Sequence, residues 1–151
     1  MRYDIVSDTH GFLSRELLRE LEGADVIVHA GDMCSTSDYQ TLAGMAELKM
    51  CLGNNDYADQ YGPFVRKDCR FYADRLRWQV CHYRERLDLE VCEIAICGHT
   101  HRPFTETDRR TGTLVMNPGS PTYPRALGPS MGRIIVEDAR IVSAEIVMLE
   151  G

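Results

Sequence analysis

The sequence predicts a mixed α/β protein, parallel in its first half and antiparallel in its second. Two observations predict this. Up to residue 56, short apolar runs alternate with helical patterns, the signature of parallel strands joined by helical crossovers. Beyond residue 63 the apolar runs follow one another through short turn sequences, as in hairpins. A third observation points to function: four of the strands run into clusters of Asp, His, Asn and Gly.

Residues 3–7 (YDIVS) form an apolar run that stops at a polar cluster, which reads as a buried strand. A helix follows, with Leu13, Leu17, Leu18 and Leu21 on one face, Ser14 as N-cap and Gly23 as C-cap. Residues 25–32 (DVIVHAGD) give a second buried strand, and residues 35–47 a second helix opened by Ser35, Thr36 and Ser37. The stretch ELKMCLGNND gives a third strand and a loop. Residues 63–82 alternate around Ala73–Asp74 and predict a hairpin, while VCEIAICGHTH is another buried strand ending in a polar loop. Two further hairpins are expected, one around RRTG and one turning at Glu137–Asp138.

The 151 residues suit a single domain spanning 1–151, long enough to bury a real core. A net charge of −6 argues against a general nucleic-acid or anionic-membrane binder. No apolar run is long enough to cross a membrane, and the first residues lack a signal-peptide pattern, so a cytoplasmic location is expected. The six cysteines contain no C-x-x-C pair. Cys51, Cys81 and Cys97 end apolar segments and read as free buried thiols, consistent with a reducing compartment.

The strand-end clusters are SDTHG, HAGD, GNND and CGHTH. In open α/β sheets the carboxyl ends of strands gather the ligand site, so these clusters converge on one edge. Carboxylate, imidazole and amide oxygen together suit divalent metals of intermediate hardness. Asp8 and His10 are two apart, as are His99 and His101; on extended backbone each pair would point to one side and chelate. A lone Asp-x-His is ordinarily a turn with a surface histidine. The joint pattern carries the signal, because His10, His29, His82, His99 and His101 all fall at or near strand ends.

In order, DTH, GD at 31–32, GNND at 53–56, His82 and GHTH at 98–101 resemble the calcineurin-like metallophosphoesterases. The later NPGS at 117–120 and PR at 124–125 are similar to its small single-domain phosphodiesterase branch. The resemblance implies a four-layer α/β/β/α sandwich, with two mixed β-sheets flanked by helices. It implies two divalent metal ions, manganese first, with nickel, cobalt, iron or zinc as alternatives. Carried over by motif, Asp8, His10, Asp32 and His101 would hold one ion and Asp32, Asn54, His82 and His99 the other, with Asp32 bridging. The implied activity is a phosphodiesterase or phosphatase hydrolysing small phosphate esters by attack of a metal-bridging hydroxide. Asp32, Asn54, Asp56 and His99 are the candidate catalytic residues, and Arg102 and Arg125 the candidate phosphate contacts. His29 packs beside the strand end or orients Asp32, and Gly11, Gly31, Gly53 and Gly98 let backbone pass close to the metals.

Two positions depart from the family pattern. Many members carry a histidine after the metal-binding asparagine, which can protonate the leaving oxygen. Asn55 stands there and cannot donate in that sense, which favours esters with good leaving groups, such as aryl esters. Tyr83 follows His82 where the family usually has glycine, and residues 83–90 offer barely two helical turns. The other readings are a non-catalytic binding scaffold, as the retromer subunit of this fold is, and a nuclease, for which a short acidic chain leaves little groove. A homo-oligomer stays open.

Overall fold

The computed structural model describes residues 1–125 and 127–149. In chain order the elements are β1 (Arg2–Val6), α1 (Arg15–Leu21), β2 (Val26–His29), α2 (Thr36–Met45), β3 (Glu47–Met50), β4 (Asp68–Ala73) and β5 (Leu76–Cys81). A 3-10 turn at Arg84–Arg86 follows, then β6 (Ile94–Ile96), β7 (Phe104–Thr107), β8 (Leu114–Asn117), β9 (Ser130–Glu137) and β10 (Arg140–Met148). Ser14 and Ser35 cap the two helices by accepting hydrogen bonds from the amides of Leu17 and Asp38. The expected second helix over 35–47 is shorter. It stops at Met45 because Glu47 is drawn into the sheet, paired with Val26 of β2.

The strands form two mixed five-stranded sheets, ordered β10-β9-β1-β2-β3 and β4-β5-β6-β8-β7. In the first, β1, β2 and β3 are parallel and β9 and β10 add an antiparallel hairpin. In the second, β5, β6 and β8 are parallel, flanked by antiparallel β4 and β7. The second half is therefore not antiparallel throughout. Sequence alternation shows that strands exist but not which partner each takes. Here a loop with one 3-10 turn makes the β5–β6 crossover that a helix usually makes. The two hairpin turns lie one residue later than expected. Asp74–Arg75 and Asp138–Ala139 all have φ between 50° and 63°, and an aspartate takes the first left-handed position in each.

Tyr3, Ile5, Val28, Trp78, Val80, Ile94, Met116 and Ile134 fill the space between the sheets. Trp78 stacks on Phe71 at 5.3 Å and meets Tyr3 at 4.5 Å between ring centroids. Leu17, Leu21 and Leu42 of the helices pack with Ile27 and Met131 on the outer face of the first sheet. The outer face of the second is covered by Leu87, Leu89 and Phe104 over Cys92, Ala95 and Val115. The fourth layer of the sandwich is thus the 3-10 turn and its loop. All six cysteines are free thiols. Among the described residues no helix is long and apolar enough to cross a membrane.

One buried charge ties α1 to the first sheet. Asp4 is fully buried on the helix-facing side and accepts hydrogen bonds from Arg2 at 2.7 and 3.1 Å and from Arg133 at 2.9 Å. Both guanidinium groups also donate to the Glu20 carbonyl near the end of α1. Replacing Asp4 with Ala removes the carboxylate the two arginines share, leaving Arg2 with backbone acceptors and Arg133 with Glu20. The expected loss is about 3 kcal/mol in urea unfolding, the lower end for a broken buried pair because both arginines reach solvent.

Candidate metal centre

The carboxyl ends of β1, β2, β3, β5 and β6 all open onto one edge of the sandwich. The loop after β1 runs alongside the loop after β2: the amides of Asp8, His10 and Gly11 donate to the carbonyls of Gly31, Asp32 and Met33 at 2.8–2.9 Å. Asp8, His10, Asp32, His99 and His101 all adopt positive φ, between 50° and 70°. The i, i+2 pairs therefore do not chelate from extended backbone. Left-handed turns direct their side chains inward while the amides of Asp8 and His10 bond the neighbouring loop.

Asp8 is fully buried and Asp32 is 2% exposed. Asp8 Oδ1 lies 3.2 Å from His101 Nε2, 3.7 Å from His10 Nε2 and 3.8 Å from His82 Nε2. Asp32 Oδ2 lies 3.4 Å from His82 Nε2 and 3.9 Å from His10 Nε2. Two groups can hold a cation: Asp8, His10 and His101, and Asp8, Asp32 and His82. Asp8 belongs to both groups, and Asp32 Oδ2 also lies 3.9 Å from His10 Nε2 of the first.

The hydrogen bonds around these groups leave specific atoms facing inward. Asp8 Oδ2 accepts from Ser7 Oγ at 2.6 Å and from the His99 amide at 3.0 Å, whereas Asp8 Oδ1 is buried without a partner. His82 Nδ1 donates to the Ala30 carbonyl at 2.7 Å, so the neutral ring carries a bare lone pair on Nε2, which is also buried and unpartnered. His101 Nδ1 donates to the Tyr123 carbonyl at 2.7 Å and likewise presents Nε2. Unpaired buried charge is costly. Donors separated by 3.2–3.8 Å are also spaced as ligands of one ion at ~2.0–2.2 Å from each. The residues therefore fit a divalent cation.

Asn54 and His99 are placed differently. Asn54 is exposed and lines a cavity beside His82. His99 is exposed, with its ring 5.2 Å from that of His82 and 4.6 Å from that of Tyr83. Both border the His82 side rather than join the tight groups. Arg102 and Arg125 lie in the loops around His101, with exposed side chains that make no hydrogen bond or ion pair among the described residues.

Over residues 1–139 the sequence matches the calcineurin-like phosphoesterase superfamily domain. The chain belongs to this superfamily. It is 28% identical over 162 aligned residues to a probable metallophosphoesterase of Methanocaldococcus jannaschii, covering 99% of this chain and 82% of that protein. Among solved structures, an archaeal phosphodiesterase superposes with a TM-score of 0.77 at 21% identity, covering 97% of this chain and all 100% of that one. Vps29 of Entamoeba histolytica in complex with zinc superposes with a TM-score of 0.75 at 19% identity, covering 97% of each chain. At such identities the structures speak for the fold.

Within this phosphoesterase fold, side chains beyond the candidate ligands hold the edge in place. Asp56 accepts from the amides of Asp32, Gly53 and Cys34 at 2.7, 2.8 and 2.9 Å and from Tyr61 Oη at 2.9 Å. A carboxylate held by four donors positions two loops. Asn55 donates its amide and its Nδ2 to the two oxygens of Asp32, at 2.8 and 3.0 Å. Burial alone would raise the Asp32 carboxyl, but the adjacent His82 ring and the two hydrogen bonds from Asn55 outweigh it and hold the group at about 2. His29 is fully buried, accepts from the Gly31 amide and bonds Thr9 between Asp8 and His10; burial pushes its ring down to about 4. Two glycines are required by space. A Cβ at Gly53 would lie 2.1 Å from Asp32 Oδ1, and one at Gly98 would lie 2.1 Å from Ser7 Oγ.

Sequence reasoning missed Lys67 and Arg86, which line the cavity shared with Asn54 and His82. Only the register could have found Lys67: Asp68 pairs with Cys81, so Lys67 continues beside His82.

Two outcomes are expected. Asp56→Asn replaces an acceptor with a donor facing backbone amides. It should keep the fold, lose about 2–3 kcal/mol in urea unfolding, and bind manganese roughly 10–100-fold more weakly by calorimetry. For His29, the folded-state value of about 4 lies below the ordinary 6.5. Stability from its neutral burial is complete above 6.5 and falls as the pH drops towards 4. His82 is shifted upward and contributes in the opposite sense. The test is therefore a difference: in chelator-treated protein, wild type should lose stability relative to His29→Gln between these pH values, and a flat difference would refute it.

Proposed function

We propose that the chain is a metal-dependent phosphodiesterase acting on small phosphate esters. Two divalent ions, manganese first, would be held by Asp8, His10, Asp32 and His101 on one side and by Asp32, Asn54, His82 and His99 on the other. The observation that carries this reading is the pair of buried, unpartnered atoms Asp8 Oδ1 and His82 Nε2, which face each other across 3.8 Å. Membership of the phosphoesterase superfamily and likeness to a solved archaeal phosphodiesterase support it.

When bound, divalent ions supply Lewis-acid activation of water and charge stabilisation at phosphorus. The chain's own groups do the rest. Ser7 and the His99 amide hold Asp8 Oδ2 and leave Oδ1 turned inward. Asn55 fixes both oxygens of Asp32 and keeps that carboxyl ionised. The carbonyls of Ala30 and Tyr123 keep the protons of His82 and His101 on Nδ1. Because Asn55 supplies no acidic proton, leaving groups that depart as stable anions are favoured, with aryl esters ahead of alkyl esters.

A binding scaffold is the second reading, and the exposure of Asn54 and His99 favours it. Metal binding does not separate the two, since a Vps29 of this fold is itself solved with zinc. Turnover does. After chelation, hydrolysis of an aryl phosphodiester should vanish and return with added Mn, Ni, Co or Zn. An aryl phosphomonoester should be the poorer substrate. His101→Ala should lower turnover at least about 100-fold, the scale expected for losing a group that shapes the transition state. Absence of turnover with every metal would favour the scaffold. Asn55→His should raise alkyl diester turnover more than aryl diester turnover; equal effects would refute the leaving-group argument.

A further inference from the structure

Beside His82 the site opens into a cavity of about 280 Å³, lined by Gly53, Asn54, Lys67, His82, Tyr83 and Arg86 among others. We propose that this cavity is a subsite for a second phosphate group of the substrate, bound by Lys67 and Arg86. The proposal rests on the phosphodiesterase reading and names the substrate class: small diesters with a further, terminal phosphate on the arm that lies towards His82.

Charge is the first ground. Some cations, such as Arg84 and Arg110, are paired with carboxylates, and others, such as Arg15 and Arg140, are unpaired among the described residues. Lys67 and Arg86 have no such partner among the described residues, yet they line the same cavity. Among the described residues no carboxylate lines it. Two unpaired cations around an acid-free cavity suit a terminal phosphate, which carries close to two negative charges near neutral pH.

Placement is the second ground. The β4–β5 register sets Lys67 beside His82, and the Leu52 amide donates to the Arg66 carbonyl at 2.8 Å, pinning the strand entrance to the loop that holds Gly53 and Asn54. Arg86 sits in the 3-10 turn, where its amide donates to the Tyr83 carbonyl at 3.1 Å. Both cations thus stand on the rim next to residues proposed to hold an ion. Tyr83 closes the opposite wall, its ring against those of His99 and His82 at 4.6 and 5.4 Å. A second cavity, containing His99, Arg84 and Phe104, lies beyond it. A diester centred between the sites would send its two arms to either side of Tyr83.

The test compares p-nitrophenyl propyl phosphate with the same ester bearing a phosphate at the far end of the propyl arm. Wild type should turn over the phosphopropyl ester with a kcat/KM roughly 10–100-fold higher, through a lower KM, the worth of one or two charge-assisted hydrogen bonds. In Lys67→Ala/Arg86→Ala, both exposed positions, this preference should disappear while the propyl ester is unchanged within about twofold. No preference in wild type, or a preference kept by the double variant, overturns the subsite. Failure to hydrolyse either ester would overturn the phosphodiesterase reading. A separate arm then decides the subsite: inorganic phosphate titrated into chelator-treated protein, followed by amide shifts. Saturable shifts at Lys67, Tyr83 and Arg86, absent in the double variant, uphold it; a flat wild-type titration overturns it.

Discussion

Two carboxylates buried at one edge of a two-sheet sandwich set the terms for the rest of this molecule. Asp8 and Asp32 end neighbouring parallel strands, so the β1–β2 register brings their charges together where solvent cannot screen them. Apart from bound cations, neutralisation can come only from donors in the surrounding loops. Ser7 and the His99 amide serve Asp8, and Asn55 serves Asp32 through two groups. The inward-facing Asp8, His10, Asp32 and His101 all have left-handed backbone, at about 1 kcal/mol each. The strain is offset locally, because the turned amides of Asp8 and His10 bond the adjacent loop.

That arrangement assigns unlike work to similar residues. Asp8 keeps one oxygen free and buried, whereas Asp56, on the loop after β3, has both oxygens filled. Both are acidic residues in polar clusters, and only their hydrogen bonds separate a candidate ligand from a brace. The histidines divide likewise. His82 and His101 donate through Nδ1 to carbonyls and present Nε2 inward. His29 spends both nitrogens on the loops and holds them together.

Much of this was legible in the sequence because strand ends are legible. Apolar runs stop where Asp8, Asp32, His82 and His99 begin, and parallel topology sends such ends to one edge. The caps at Ser14 and Ser35 were legible for the same local reason. What escaped was set by long-range pairing. Alternation in residues 63–120 did not reveal that β5, β6 and β8 run parallel, since no helix marks the crossover. The extended backbone expected at Asp8–His10 gave way to left-handed turns, which pairing with the β2 loop imposes. The four hydrogen bonds to Asp56 escaped because their donors come from residues 32–61, which only the fold assembles.

The site is also lopsided, which bears on where selectivity arises. On the His10 and His101 side the rings are in contact, with Nε2 atoms 3.4 Å apart and Tyr123 against His10 at 5.5 Å. On the His82 side, cavities of about 280 and 230 Å³ flank Tyr83. Shape and charge can vary on the open side without disturbing the buried carboxylates, because Lys67, Tyr83 and Arg86 belong to the strand entrance and the crossover loop. The missing helix of the fourth layer is part of the same economy. A chain that crosses from β5 to β6 through a 3-10 turn leaves the edge beside His82 uncovered, and the residues of that short crossover become walls of the two cavities there.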